Sequence, residues 1–221
     1  MGQVPSTYAS GAGIAALLVL LAEFAMLRAP SLRSQVRLYM SQSLVVVVLA
    51  AVTAAVRGLD DLYVLAGLSL LLKVVLVPAL LVHLLREAGS DLSGSPALKV
   101  ASMVLVAIAA SAFGFFTVGP LGFRSPVLPS SAFAVAAAVV MVAFVLIILR
   151  SDVVSQAVGF FSVENGVSLA SMVVAAGLPI VVELTLLFDL LVAVVAFGLI
   201  MRAHHALRGT LYTWELDRLR G

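Results

Sequence analysis

Apolar residues run in long stretches along this chain, and polar residues gather in the short intervals between them. Seven stretches, at 9–27, 36–56, 62–85, 97–118, 130–149, 153–176 and 178–201, meet the roughly 17–25 residues that an α-helix needs to cross a bilayer. The intervals carry helix breakers: Ala29-Pro30, Arg57-Gly58, Gly89-Ser90 with Gly94 to Pro96, Gly119-Pro120, and Pro126 with Pro129. Between the last two stretches, Gly177-Leu178-Pro179 pairs a glycine that can end one helix with a proline suited to the first turn of the next. No interval resembles a domain linker. The pattern predicts an all-α fold, one polytopic bundle of seven transmembrane helices.

Composition narrows the class. Of 221 residues, 63% are apolar and 11% charged, with a mean hydropathy of +1.21, which excludes a water-soluble fold. With no cysteine, the chain can hold no disulfide and no thiolate-bound cluster or zinc. The first eight residues contain no Lys or Arg, unlike the basic start of a cleaved leader. The net charge of +2 says less than its distribution. Arg28, Arg33, Arg37, Arg86, Lys99, Arg150, Arg202, Arg208, Arg218 and Arg220 fall on one side of a seven-span bundle, Arg57 and Arg124 on the other. The basic side is expected in the cytoplasm, with the N-terminus outside and the C-terminus inside a cell inner or plasma membrane.

Charges inside the spans are the candidate chemistry. An ionisable group at the centre of a membrane helix costs about 2.5–3.5 kcal/mol on insertion scales, so it calls for a partner, a water-filled cavity or a neighbouring subunit. Glu164 is the one charge between Val153 and Ala176, and Glu183 and Asp189 are the charges between Leu178 and Met201. Glu164 lies 13 residues before Gly177 and Asp189 lies 12 after it, which predicts a shared depth of ~18–20 Å from the hairpin. Asn165 and Gly166 follow Glu164, and the small residue admits a neighbouring helix. Glu183 and Asp189 point about 120° apart and need different partners. Lys73 lies mid-span, five residues before Pro78, and its ammonium is expected to meet an acid or water on another helix. His83 and His204 lie toward the cytoplasmic interface as a possible relay, and no metal site is expected there. Glu23, five residues before Arg28, reads as a hydrated interfacial acid.

A shift of 121 residues lays Ser34-Gln35 on Ser155-Gln156, Ser41 on Ser162, His83 on His204 and Ser43 on Glu164. The expected organisation is therefore a three-helix half over 1–90, read as a degenerate repeat, and a linking fourth helix and loop over 91–128. A second three-helix half over 129–209 and a cytoplasmic tail over 210–221 complete it. The tail carries Tyr212 and Trp214, an aromatic pair suited to the interface. Phosphate loops, nucleophile elbows, metal-binding helix motifs and dinucleotide fingerprints are absent from the sequence. Basic residues without interleaved aromatics do not suggest nucleic-acid binding.

The run Gly159-Phe-Phe-Ser-Val-Glu164-Asn-Gly, then Glu183-Leu-Thr-Leu-Leu-Phe-Asp189 and the His204-His205 end, resembles the hydrogenase-4 component E family. Lys73 to Pro78 and the closing Asp217-Arg218-Leu219-Arg220 resemble it as well. The resemblance implies a membrane subunit of a group 4 nickel–iron hydrogenase or formate hydrogenlyase-like complex. It further implies a C-terminal half similar to the K-type subunit of complex I and the C-type subunit of cation/proton antiporters. Expected partners are antiporter-like membrane subunits, a hydrophilic hydrogenase arm and lipid. The nickel–iron centre and iron–sulfur clusters would lie in those partner subunits, with no cofactor in this chain. Glu164 matches the first of the two K-type membrane glutamates. The second is either Asp189, by distance to the basic end, or Glu183, by residue type. The implied role is to link antiporter-like subunits and carry part of a proton or ion path. A purely structural assembly subunit and a stand-alone small transporter are the alternative readings.

Overall fold

A computed structural model describes residues 6–88, 100–121, 128, 129, 131–174, 189, 192, 193, 195–200 and 203. Helix α1 covers Ser6–Arg28 and α2 covers Leu32–Arg57. The third span is composite: α3 at Asp60–Ser69, a π-helical segment at Leu70–Leu76, and α4 at Val77–Ala88. Then come α5 at Val100–Val118, α6 at Ser131–Leu149 and α7 at Val153–Val174. Among the described residues six helices are long and apolar enough to cross a membrane. They fall on the first six expected stretches, so the chain is a multi-pass membrane protein. The hairpin at 177–179 lies outside the described residues, as does most of the seventh stretch. What is described of that stretch is helical, and its Phe197 ring lies 5.8 Å from that of Phe160 and 5.9 Å from that of Phe161.

Helix ends follow local chemistry. Ser31, extended at φ −128°, caps α2 by accepting from the Ser34 N–H at 3.1 Å. Gly58 at φ 66° ends the same helix. That left-handed turn lets the Gly58 and Leu59 N–H groups both reach the Ala54 carbonyl, at 2.8 and 3.1 Å. Asp152 caps α7 as Ser31 caps α2, accepting from the Ser155 N–H at 2.6 Å.

Packing inverts the soluble pattern. Leu105, Phe116 and Ile148 are exposed, which suits contact with lipid tails rather than water. Helix α6 packs against α1, α5 and α7, and α2 packs against α1, α3, α7 and the π segment. Without a hydrophobic drive between helices, close contact depends on small residues. A Cβ at Gly114 would lie 2.9 Å from the Ala137 carbonyl oxygen, and one at Gly166 would lie 2.7 Å from Val140 Cγ2. Glycines therefore bring α5 and α7 onto α6, as Gly166 led us to expect.

Two apolar clusters sit toward opposite ends of the bundle. Met26, Leu32, Val36, Leu146 and Val154 belong to one, and Ala16, Val46, Ala50, Val139 and Leu169 to the other. Between them lies a buried polar layer containing Glu23, Gln42, Ser43, Ser162 and Asn165.

Candidate functional site

Lys73 sits inside the π-helical segment Leu70–Leu76. At its end the Val77 N–H reaches back to the Leu72 carbonyl, a five-residue step in place of the usual four. Pro78 follows directly; its ring would crowd the carbonyl four residues back in a regular helix, and the wider turn relieves that crowding. The span accommodates this proline by a widened turn.

The acid expected at Lys73 is Glu164. The Lys73 ammonium is 2.5 Å from Glu164 Oε2, with the lysine 1% exposed and the glutamate 11%. Lys73 Nζ also donates to Ser168 Oγ at 2.9 Å, and Ser168 Oγ donates to Glu164 Oε1 at 3.2 Å. The triad closes on itself, one turn of α7 supplying both carboxylate and hydroxyl. Glu164 lies about 16 Å along α7 from Val153, near the middle of a ~30 Å hydrocarbon layer. A cavity of about 40 Å³ reaches the triad between Leu62, Leu65 and Ser69 on one side and Ala50, Ser171 and Met172 on others. At ~10–15 Å³ per water it admits about three waters, and the polar triad supplies their partners.

A second polar group lies where α1, α2 and α7 meet. Glu23 is fully buried and accepts at Oε2 from Gln42 Nε2 at 2.7 Å and from Ser162 Oγ. The same Gln42 nitrogen donates to the Val19 carbonyl at 3.1 Å. Gln42 Oε1 is 2.9 Å from Ser162 Oγ and accepts from Asn165 Nδ2 at 3.0 Å. Asn165 Nδ2 also donates to Ser43 Oγ at 2.8 Å. Glu23 Oε1, Asn165 Oδ1 and the Tyr39 hydroxyl are buried with no hydrogen-bond partner among the described residues. Glu23 is therefore no hydrated interfacial acid: the distance to Arg28 placed it near the surface, but Gln42 and Ser162 enclose it.

Nearer the basic end, Ser155 Oγ is 2.6 Å from Gln35 Oε1 and 2.8 Å from Asp152 Oδ2. Arg150 is buried and donates to the Leu27 and Ala29 carbonyls at 2.8 and 3.3 Å, tying the start of α7 to the α1–α2 turn. Burial pulls its guanidinium below its ordinary pKa, and the Asp152 carboxylate pushes the other way.

Of the remaining expected residues, Asp189 and His83 are described. Asp189 is exposed and forms no ion pair with Lys73 among the described residues. His83 is exposed on α4; Glu183 and His204 lie outside the described residues. What sequence reading missed is the row formed by Glu23, Gln42, Ser162 and Asn165. Its signal was the offset: the pairs 35/155 and 42/162 are each 120 residues apart and 43/165 is 122. The caps Ser31 and Asp152 also lie on the 121-residue shift. Helices α2 and α7 consequently run parallel, with near-equivalent positions facing each other.

Comparison with known proteins extends this picture. The chain is 25% identical over 204 residues to hydrogenase-4 component E of Escherichia coli, covering 92% of this chain and 94% of that one. The same figures hold for hydrogenase-4 component E of Shigella flexneri. A protein of Mycobacterium tuberculosis named only as uncharacterized is 29% identical over 167 residues, 75% of this chain and 74% of that one. The likeness to component E is distant and spans nearly the whole chain. No protein-family profile matches the chain, and no solved structure does.

Proposed function

We propose that this chain is an integral membrane subunit of an energy-converting, hydrogenase-like oxidoreductase complex and carries part of its proton or ion path. The observation that supports this most is the Lys73–Glu164 ion pair, buried at mid-membrane depth between two spanning helices. A pair so placed exchanges one proton between ammonium and carboxylate, or with the waters its cavity admits, whenever a nearby charge moves. The whole-length likeness to hydrogenase-4 component E supports the assignment to such a complex. In this reading the subunit has seven spans, its N-terminus outside and its C-terminus cytoplasmic. It links antiporter-like subunits to the rest of the membrane arm, and its C-terminal half acts as a K-type subunit does, with Asp189 or Glu183 as the second acid. The nickel–iron centre and iron–sulfur clusters belong to partner subunits. The two three-helix halves are copies, a reading supported by the shared offset between α2 and α7.

The test is proton uptake by membrane vesicles measured beside catalytic turnover in the same preparation of the host complex. Glu164→Gln keeps shape and most hydrogen bonding, so assembly should persist while protons moved per turnover fall. Unchanged proton movement per turnover would leave a structural assembly role as the better account. Activity of the purified chain without any partner would instead favour a stand-alone transporter.

A further inference from the structure

Two groups in the α2/α7 seam repeat one design. Ser155 stands between Gln35 and the Asp152 carboxylate, and Ser162 stands between Gln42 and the Glu23 carboxylate. The serines are seven residues apart and so are the glutamines, which sets the groups about 10 Å apart along the seam. The first lies at the start of α7, at the end where Arg150 ties down the α1–α2 turn. The second lies deeper, short of Glu164, whose cavity is lined from α3, on the side away from that end.

Each serine has a single proton and two acceptors in reach. While Glu23 is a carboxylate, Ser162 donates to it. Once Glu23 holds a proton, its hydroxyl can donate to Ser162 Oγ, and Ser162 turns its own proton to Gln42 Oε1. Both protonation states are therefore hydrogen-bonded with no movement of heavy atoms. Gln42 meanwhile stays fixed by the Val19 carbonyl and by Asn165. Polar side chains face Glu23 from α2 and α7, and it forms no ion pair with any described residue. Its Oε1 is fully buried and unpartnered, which a site that holds a single charge state would leave at a cost.

We infer that Glu23 is a proton-exchanging station, placed between the Asp152 end of the seam and the Lys73–Glu164 pair. This rests on the proton-path reading above. The step is a simple exchange: a proton leaves the Glu164 carboxyl and one arrives at the Glu23 carboxylate, or the reverse. Ser162, bonded to Glu23, acts as the hydroxyl relay, accepting one proton as it gives up its own, and the remaining step to Glu164 requires a water.

The experiment is infrared titration of the full chain in lipid vesicles, in ordinary and heavy water. Protonated carboxyls absorb apart from amides, and an exchangeable one shifts in heavy water. Glu23→Gln should abolish one pH-dependent, exchangeable carboxyl band. Ser162→Ala keeps the acid and removes one donor, so the band should persist at a shifted frequency even where Glu23→Gln misfolds. Glu164→Gln should move the pH midpoint of that band. An unchanged spectrum in both Glu23→Gln and Ser162→Ala would overturn the inference, and a midpoint indifferent to Glu164→Gln would sever the link to the pair. The band concerns Glu23 alone. If it is missing while Glu164→Gln still lowers proton movement per turnover, this inference fails and the proposed function stands.

Discussion

Removing one partner of the Lys73–Glu164 pair should cost more than removing both. Breaking a buried pair from one side destabilises by about 3–5 kcal/mol, because a charge is left stranded, whereas replacing both by apolar groups is close to neutral. The surroundings rank the two single variants. Glu164→Leu strands Lys73, which is 1% exposed and keeps Ser168 as its remaining partner. Lys73→Met strands Glu164, which is 11% exposed and keeps both Ser168 and the cavity. We expect the upper end of the range, about 5 kcal/mol, for Glu164→Leu and the lower end, about 3 kcal/mol, for Lys73→Met. At 1.36 kcal/mol per decade, those are roughly two to four decades in the folded-to-unfolded ratio. The double variant should return to within ~1 kcal/mol of the parent. Reversible unfolding of the purified chain in mixed micelles, followed by circular dichroism, reads all four corners of the cycle. Additive losses would show that the two groups do not act as an energetic unit, and the pair could not then be the mid-membrane charge couple.

Other expectations follow from neighbouring features. Gly114→Ala should lower stability by about 1–3 kcal/mol, since the new Cβ meets the Ala137 backbone; Gly159→Ala meets Cγ1 of the stiff, β-branched Ile147 and the Ala143 carbonyl and should cost a similar amount in the same unfolding assay. Asp152→Ala removes the cap of α7 and should cost about 1 kcal/mol, with Asp152→Ser restoring most of it. Asp189→Asn should lower protons moved per turnover in vesicles if Asp189 is the second path acid; an effect in Glu183→Gln alone would assign that position to Glu183.

The spans were legible because hydrophobic length is a strong constraint in a bilayer, and all six described spans fall on expected stretches within a few residues. Lys73 and Glu164 were legible for the same reason: a charge in an apolar run stands out. Which acid would meet Lys73 was not legible, since the sequence offered Glu164, Glu183 and Asp189 and only the packing of α3 and the π segment against the bundle chooses among them. Glu23 was misread because linear distance to Arg28 measures depth along one helix and says nothing of enclosure by others. Gln42 raised no flag, and Ser162 and Asn165 were noted only as a repeat match and as a neighbour of Glu164, yet the three are joined by a dense set of hydrogen bonds. The π segment was hidden as well, because Pro78 announces an irregularity without saying which kind.

The common register of α2 and α7 sets a rule for what can stand on their seam. Where near-equivalent positions face each other, the geometry approaches that of a two-fold dimer, in which each contact of residue i with residue j recurs as j with i. An acid close to the axis of such a dimer would stand near its own copy, and like charges in an apolar layer repel strongly. Serine and glutamine escape the difficulty, because each can both donate and accept, and they are what the seam carries at Ser155, Gln35, Ser162 and Gln42. If the halves began as separate identical chains, the counterparts Ser43 and Glu164 could not both have been glutamate without paired repulsion. Joined in one polypeptide, such halves would be free to differ, and a lone carboxylate could stand beside the axis and pair with Lys73. On that history, asymmetry of charge at this seam would be a trace of the fusion.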